Sequence, residues 1–147
     1  MTSDTHDVRW LTGDQQHAWR AYLVGTTLLM DRLDRDLRAS HDISLPEYEV
    51  LVRLSESAEH RVRMATLADS LSHSRSRVTH TIARMERSGY VERTPAPDDG
   101  RGIVATMTQA GYDLLVRAAH VHVDGVRRHL VDLVDDDDFA ALGRVMN

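Results

Sequence analysis

The residues best equipped for chemistry lie between Met64 and Thr108, and the densest set is the segment 74–88, SRSRVTHTIARMERS. On a helix, Val78, Ile82 and Met85 recur at i, i+4 and i+7 and fall on one face. Arg75, Ser76, Thr79, His80, Arg84 and Arg87 are left on the outside. Guanidinium groups pair with guanine edges or with phosphates, so a short helix with this outer face suits the major groove of DNA. An arginine-rich face is also what a merely solvated helix presents. The neighbouring elements have to decide between the two.

Gly89 fits the position that ends a helix, and Tyr90, Val91, Glu92 and Arg93 then read as a short strand. The segment 94–102, TPAPDDGRG, reads as a polar loop with two prolines and two glycines, and Ile103, Val104, Ala105, Thr106 and Met107 as a second strand. On the other side, Leu67, Ala68 and Leu71 mark a short helix over 65–71, followed by the turn Ser72, His73 and the N-cap Ser74. Two short helices joined by a tight turn, the second one basic, make a helix-turn-helix. Helix, strand, basic-tipped loop and strand add a wing to it.

Charge distribution supports that surface. The chain of 147 residues carries a net charge of −5, which taken whole argues against nucleic acid. From Arg61 to Arg101, however, eight arginines face five acids, a local +3, and the rest of the chain holds ten arginines and eighteen acids, or −8. Regional charge decides where a polyanion docks. All eighteen basic residues are arginine, which by itself carries no functional conclusion.

The flanking segments read as helices that assemble something. Thr12 and Gln15 form a capping box for a helix to about residue 40. Its inner-face positions Trp19, Leu23, Thr26, Met30, Leu33 and Leu37 are spaced 4, 3, 4, 3, 4, a seam for another helix or for this subunit's own core. Ser44 and Glu47 form a second box, with Pro46 in the first turn, for a helix over 45–57 that turns Val50, Leu51 and Leu54 inward. Val62, between Arg61 and Arg63, reads as a brief extended piece beside the wing. Thr108 starts a long helix to about residue 134, and residues 136–147 form a last one, which looks cut short.

Several function classes find no support. There is no glycine-rich phosphate loop, HExxH or nucleophile elbow, so an enzyme is not expected. The absence of cysteine removes disulfides, thiol switches and Cys-ligated metals. With no apolar run of about 18 residues and no leader, a soluble cytoplasmic chain is expected. Asp135 to Asp138 are four consecutive acids that point around a helix rather than at one ion, and they suit a helix N-terminus. A metal-responsive alternative rests on His120, His122 and His129. Residues two apart on a helix diverge by about 200°, and residues seven apart lie about 10 Å from each other, so a site would need ligands from elsewhere. No metal and no cofactor is expected.

From Leu45 to Gly111 the chain resembles the MarR family of transcriptional regulators. The resemblance is carried by LPEYEVLVRL, by MATLADSLSHSRSRVTHTIARMERSGYVER and by the wing DDGRGIVATMTQAG. It implies a mainly α fold with a small β-wing: an N-terminal arm and dimerisation helix (1–40), a winged helix-turn-helix domain (44–108) and C-terminal dimerisation helices (109–147). It implies a homodimer that binds double-stranded DNA at a palindromic operator, with the recognition helix in the major groove and the wing tip in the minor groove. Carried over residue by residue, Ser74, Arg75, Ser76, Arg77, Thr79 and His80 become groove and phosphate contacts, and Arg101 the wing-tip arginine. Asp99 matches a wing aspartate that pairs with an arginine and organises the wing, and Arg84 is its expected partner and a further DNA residue. The alternative is that Arg84, Arg87 and Arg93 brace the wing without touching DNA.

The same resemblance implies repression relieved by a small aromatic acid-like effector, bound between the dimerisation helices and the winged domain. Trp10, His17, Trp19, Arg20, Tyr22 and Glu49 offer stacking surfaces, a cation and hydrogen-bonding groups for it. Trp19 serves a dimer core equally well. A winged helix that docks another protein remains the other reading, and it calls for a more apolar outer face than 74–88 provides.

Overall fold

A computed structural model describes residues 8–147. Helix α1 (Gly13–His41) opens on the expected capping box: Gln15 N–H donates to Thr12 Oγ1 at 3.2 Å, and Thr12 N–H donates to Gln15 Oε1 at 2.9 Å. It closes at Asp42, a non-glycine residue in the left-handed region at φ 55°. Helix α2 (Leu45–Ser55) repeats the device with Ser44 and Glu47, and its first N–H, from Leu45, donates to Asp34 of α1 at 2.8 Å. Burial alone would raise the Asp34 carboxyl, but the hydrogen bonds from Leu45 and Arg38 hold it below its ordinary value.

The winged domain follows in the expected order. Strand β1 (Arg61–Arg63), helix α3 (Met64–Ser70) and helix α4 (Arg75–Arg87) precede β2 (Val91–Ala96) and β3 (Asp99–Met107). The antiparallel sheet has the order β1-β3-β2, with Val62 opposite Ala105 and Arg93 also opposite Ala105 from the other side. The polar loop expected over 94–102 is largely strand, and only Pro97 and Asp98 form the turn. Pro95 reads as a loop residue because it lacks an N–H. On β2, an edge strand, that N–H has no partner strand to reach, so the ladder tolerates it.

Helix α5 (Gln109–His129) is capped by Thr108, which accepts from Gly111 N–H at 3.1 Å. It stops five residues before the expected end. Residues Val131–Leu133 tighten into a 3-10 turn, pinned by Arg127 Nη2 on Asp132 Oδ1 at 2.6 Å. Asp135 then caps α6 (Asp136–Met146) through Asp138 N–H at 2.8 Å, which accounts for the acidic run.

One core joins the winged domain to the body. Val78, Ile82 and Met85 of α4 are all but fully buried and pack in one cluster with Leu51 and Leu54 of α2, Leu67 of α3, Val91 and Ala105 of the sheet, and Leu114 and Ala118 of α5. Burying each large apolar side chain contributes about 1.5–3 kcal/mol, so the stripe fixes which way α4 turns its arginines. The junction of wing and body is close. A Cβ on Gly111 would lie 2.3 Å from the Tyr90 carbonyl oxygen, so only glycine fits there. Thr108 ties the same corner, donating from Oγ1 to the Gly89 carbonyl at 2.7 Å and from its N–H to the Tyr90 carbonyl at 3.1 Å.

The α1 seam is split. Leu33 and Leu37 are buried in this core, while Trp19, Leu23 and Met30 stay exposed. Helix α6 buries none of its residues and leaves Phe139, Leu142 and Val145 in the open. No helix among the described residues is long and apolar enough to cross a membrane.

Candidate nucleic-acid interface

Between α3 and α4 the chain turns in four residues, Leu71 to Ser74. Ser72 adopts φ 52°, His73 N–H donates to the Ala68 carbonyl at 3.2 Å, and Ser74 Oγ accepts from Arg77 N–H at 3.2 Å. With the apolar stripe buried, Ser74, Arg75, Ser76, Arg77, Thr79 and His80 are all exposed, at or near the first turns of α4. Helix N-termini present free N–H groups and a positive dipole end, so this is the end of α4 that attracts phosphate. Ser74 already spends its hydroxyl oxygen as the cap.

The wing brings a second basic group to the same side. Arg75, Thr79, Arg63, Arg101 and Gly102 line one cleft of 270 Å³ between α4 and the hairpin. Asp99 organises the turn, accepting from Arg101 N–H at 3.0 Å. Its arginine partner is Arg63 of β1, whose Nη1 lies 3.5 Å from Asp99 and whose Nη2 lies 3.3 Å from Asp98. The expected Asp99–Arg84 pair therefore does not form. Arg84 turns away to α2, where its Nε donates to the buried Glu47 at 2.7 Å. Arg93 likewise holds Glu86 at 2.6 and 2.9 Å, and these hydrogen bonds keep the Glu86 carboxyl below its ordinary value. Arg84 and Arg93 thus brace the domain, and Arg87 stays exposed.

Arg63 is the wing residue that the sequence pattern does not single out. Its signal was present as Arg-Val-Arg, since an extended piece turns both arginines to one side. Gly102 allows its path: a Cβ there would meet Arg63 Nη1 at 2.5 Å.

A sequence profile described as the MarR family matches residues 41–102, from the end of α1 into β3. The match extends to whole structures. A MarR family transcriptional regulator of Streptomyces coelicolor, Sco3205, solved in complex with DNA, is 40% identical and superposes with a TM-score of 0.92 over 96% of this chain and 88% of that one. The chain belongs to the MarR family. AbsC, a MarR family transcriptional regulator of the same organism, is 38% identical with a TM-score of 0.89 over 95% of this chain and 94% of that one. The transcriptional repressor IacR of Pseudomonas putida is 28% identical over 107 residues, 70% of this chain and 59% of that protein. A MarR-family chain of this kind is a transcriptional regulator and not an enzyme.

Within this MarR-family fold the six residues expected around an effector do not converge. Trp10, His17, Trp19, Arg20 and Tyr22 lie exposed at the start of α1 or just before it, Trp10 at 84%. Trp19 and Tyr22 stack on each other, with ring centroids 5.9 Å apart. Glu49 is the exception and lines two clefts, of 360 and 440 Å³, between the body and the helix-turn-helix. The three histidines of the metal alternative also diverge. His120 is exposed, His129 lies 3.5 Å from Asp36, and His122 packs its ring 4.5 Å from that of Tyr48. Among the described residues no three His, Asp or Glu side chains gather as a metal site.

Proposed function

We propose that this chain acts as a homodimeric repressor that binds a palindromic DNA operator and lets go when a small molecule occupies the clefts beside Glu49. The observation that carries the reading is the single basic face made by Arg75 and Thr79 of α4 and Arg101 of the wing. One element suits the major groove, and an arginine on a neighbouring hairpin suits the narrow, electronegative minor groove. The exposed Trp19, Leu23 and Met30 of α1 with Phe139, Leu142 and Val145 of α6 supply an apolar surface for a second copy. Two recognition helices on a two-fold axis then read half-sites about one helical turn, roughly 34 Å, apart. Occupying a promoter in this way blocks transcription. The outer face of α4 holds no large apolar side chain, which speaks against protein docking as its use.

The test is fluorescence anisotropy on the duplex upstream of the chain's own gene against a scrambled duplex, at about 150 mM salt, where nonspecific binding is weak. A preference of about 10³ or more supports specific regulation. Arg101→Ala should weaken binding to every duplex, whereas Arg75→Ala or Arg77→Ala should also relax the sequence preference. Equal binding by all three variants and the parent would contradict the assignment of this face.

A further inference from the structure

The tip of the wing carries a dipeptide with a chemistry of its own. Asp99 and Asp124 are the two aspartates that glycine follows. The amide nitrogen after an aspartate can attack the side-chain Cγ and close a five-membered ring, and glycine, which has no Cβ, shields that nitrogen least. Ring closure needs a peptide bond that is free to turn. The fold treats the two places in opposite ways.

Asp124 and Gly125 lie inside α5, where the backbone N–H groups are committed to the helix. Gly125 is buried against α1: a Cβ on it would lie 3.0 Å from Leu33 Cδ2 and 3.3 Å from Asp36 Oδ2, so the backbone has no room to turn. Asp99 and Gly100 are exposed and directly follow the turn Pro97–Asp98. A Cβ on Gly100 would meet nothing within 4 Å, and the ladder shifts register between Pro95 and Ala96, just across from Asp99. Asp99 Oδ1 accepts from Arg101 N–H at 3.0 Å, which folds the carboxyl back over the Gly100 peptide and turns Cγ towards the attacking nitrogen.

We propose that Asp99 is a site of spontaneous isomerisation to isoaspartate and that the change disables the wing. Its consequence for DNA rests on the reading of the basic face above. The Gly100 nitrogen attacks Cγ of the neutral carboxyl, a C–N bond forms, and the nitrogen's proton and the carboxyl hydroxyl leave as one water. A second water then breaks the bond between the Gly100 nitrogen and the main-chain carbonyl carbon of Asp99. The chain now runs through Cγ, and the former main-chain carbonyl is a free carboxylate. Mass is unchanged, and nothing is oxidised or reduced. The backbone is longer by one carbon beside a tight turn, and the carboxylate hangs directly from Cα. It is drawn away from Arg101 N–H and from Arg63 Nη1, which lies 3.5 Å from it in the unmodified wing. The wing-tip arginine thereby loses the contacts that place it.

The experiment ages the full chain at near-neutral pH and physiological temperature and samples it over weeks. A protein isoaspartyl methyltransferase with labelled S-adenosylmethionine marks isoaspartate, and peptide mapping assigns the label. Label should accumulate in the peptide that holds Asp99 several times faster than in the one that holds Asp124. The fraction of chain that binds the native duplex should fall in step with it. Gly100→Ala fits the open space around Gly100 and needs no left-handed backbone. It should leave the fresh chain's binding unchanged and slow both label and loss several-fold. Absence of label at Asp99, equal label at Asp124, label that leaves binding intact, or a Gly100→Ala chain labelled as fast as the parent would each overturn the proposal. The label is read without DNA. A fresh chain that binds native and scrambled duplexes alike would therefore remove the basic-face reading, while the Asp99 site stands or falls on its label.

Discussion

Removing the guanidinium of Arg84 should cost this protein stability, and not DNA affinity alone. Glu47 is 8% exposed and accepts from Ser44 N–H and from Arg84 Nε, each at 2.7 Å. In Arg84→Ala that carboxylate stays out of water with one of its two partners gone. Breaking a fully buried pair from one side costs about 3–5 kcal/mol, and an exposed pair about 0–1 kcal/mol. The Arg84 side chain is 48% exposed, so water can reach part of the gap. The expected loss is about 1–2 kcal/mol. For a domain of this size that corresponds to a fall in Tm of roughly 3–6 °C, measured at one fixed protein concentration because a dimer melts with mass action. Glu47→Gln keeps an acceptor for Ser44 N–H while dropping the charge, so the double variant should cost less than the two singles together. Urea and thermal denaturation followed by circular dichroism, beside DNA anisotropy, read both quantities. An unchanged Tm together with a clear loss of DNA affinity would refute the bracing role and return Arg84 to the DNA face.

Two further outcomes follow from the geometry. Gly102→Ala places a methyl group 2.5 Å from Arg63 Nη1, so Arg63 must leave Asp98 and Asp99; DNA affinity should fall, with a Tm within about 3 °C of the parent because the wing is exposed, and unchanged affinity would show that the wing needs no such anchor. Asp34 has a folded pKa below its unfolded one, so its contribution is present above the ordinary aspartate value of about 3.9 and is lost as pH falls through the folded value. Asp34→Asn should therefore flatten the acid limb of a denaturation-midpoint profile between about pH 5 and pH 3, and parallel profiles for parent and variant would remove Asp34 from the acid response.

Local rules made most of this fold readable. Both capping boxes, the stripe on α4, Ser74 as a cap and Val62 as a strand beside the wing depend on residues a few positions apart, where spacing and hydrogen-bond chemistry suffice. The partners of ion pairs were not readable in the same way. Asp99 meets Arg63 and Arg84 meets Glu47 across 36 and 37 residues, and several arginines compete for each acid until packing selects one. The hairpin was underestimated because proline marks a loop unless the strand lies at an edge, and edge position belongs to the sheet rather than the segment. The residues assigned to an effector failed to gather for a related reason. A 4, 3 apolar rhythm looks alike whether it meets its own core or stays on the surface, and α1 divides between the two, with Leu33 and Leu37 inside and Trp19 and Leu23 outside.

The contact between Gly111 and Tyr90 has a mechanical meaning. A helix whose first turn sits against the root of a hairpin with no room for a methyl group cannot slide there, so α5 and the wing share a rigid corner. At 21 residues α5 is about 31 Å long, and a tilt of about 5° about that corner displaces its far end by about 3 Å. The arrangement is a crank: the far end of α5 is the handle and the wing is the blade. A push delivered anywhere along the exposed length of α5 therefore reaches the hairpin as a rotation of its root, with no residue of the wing itself touched.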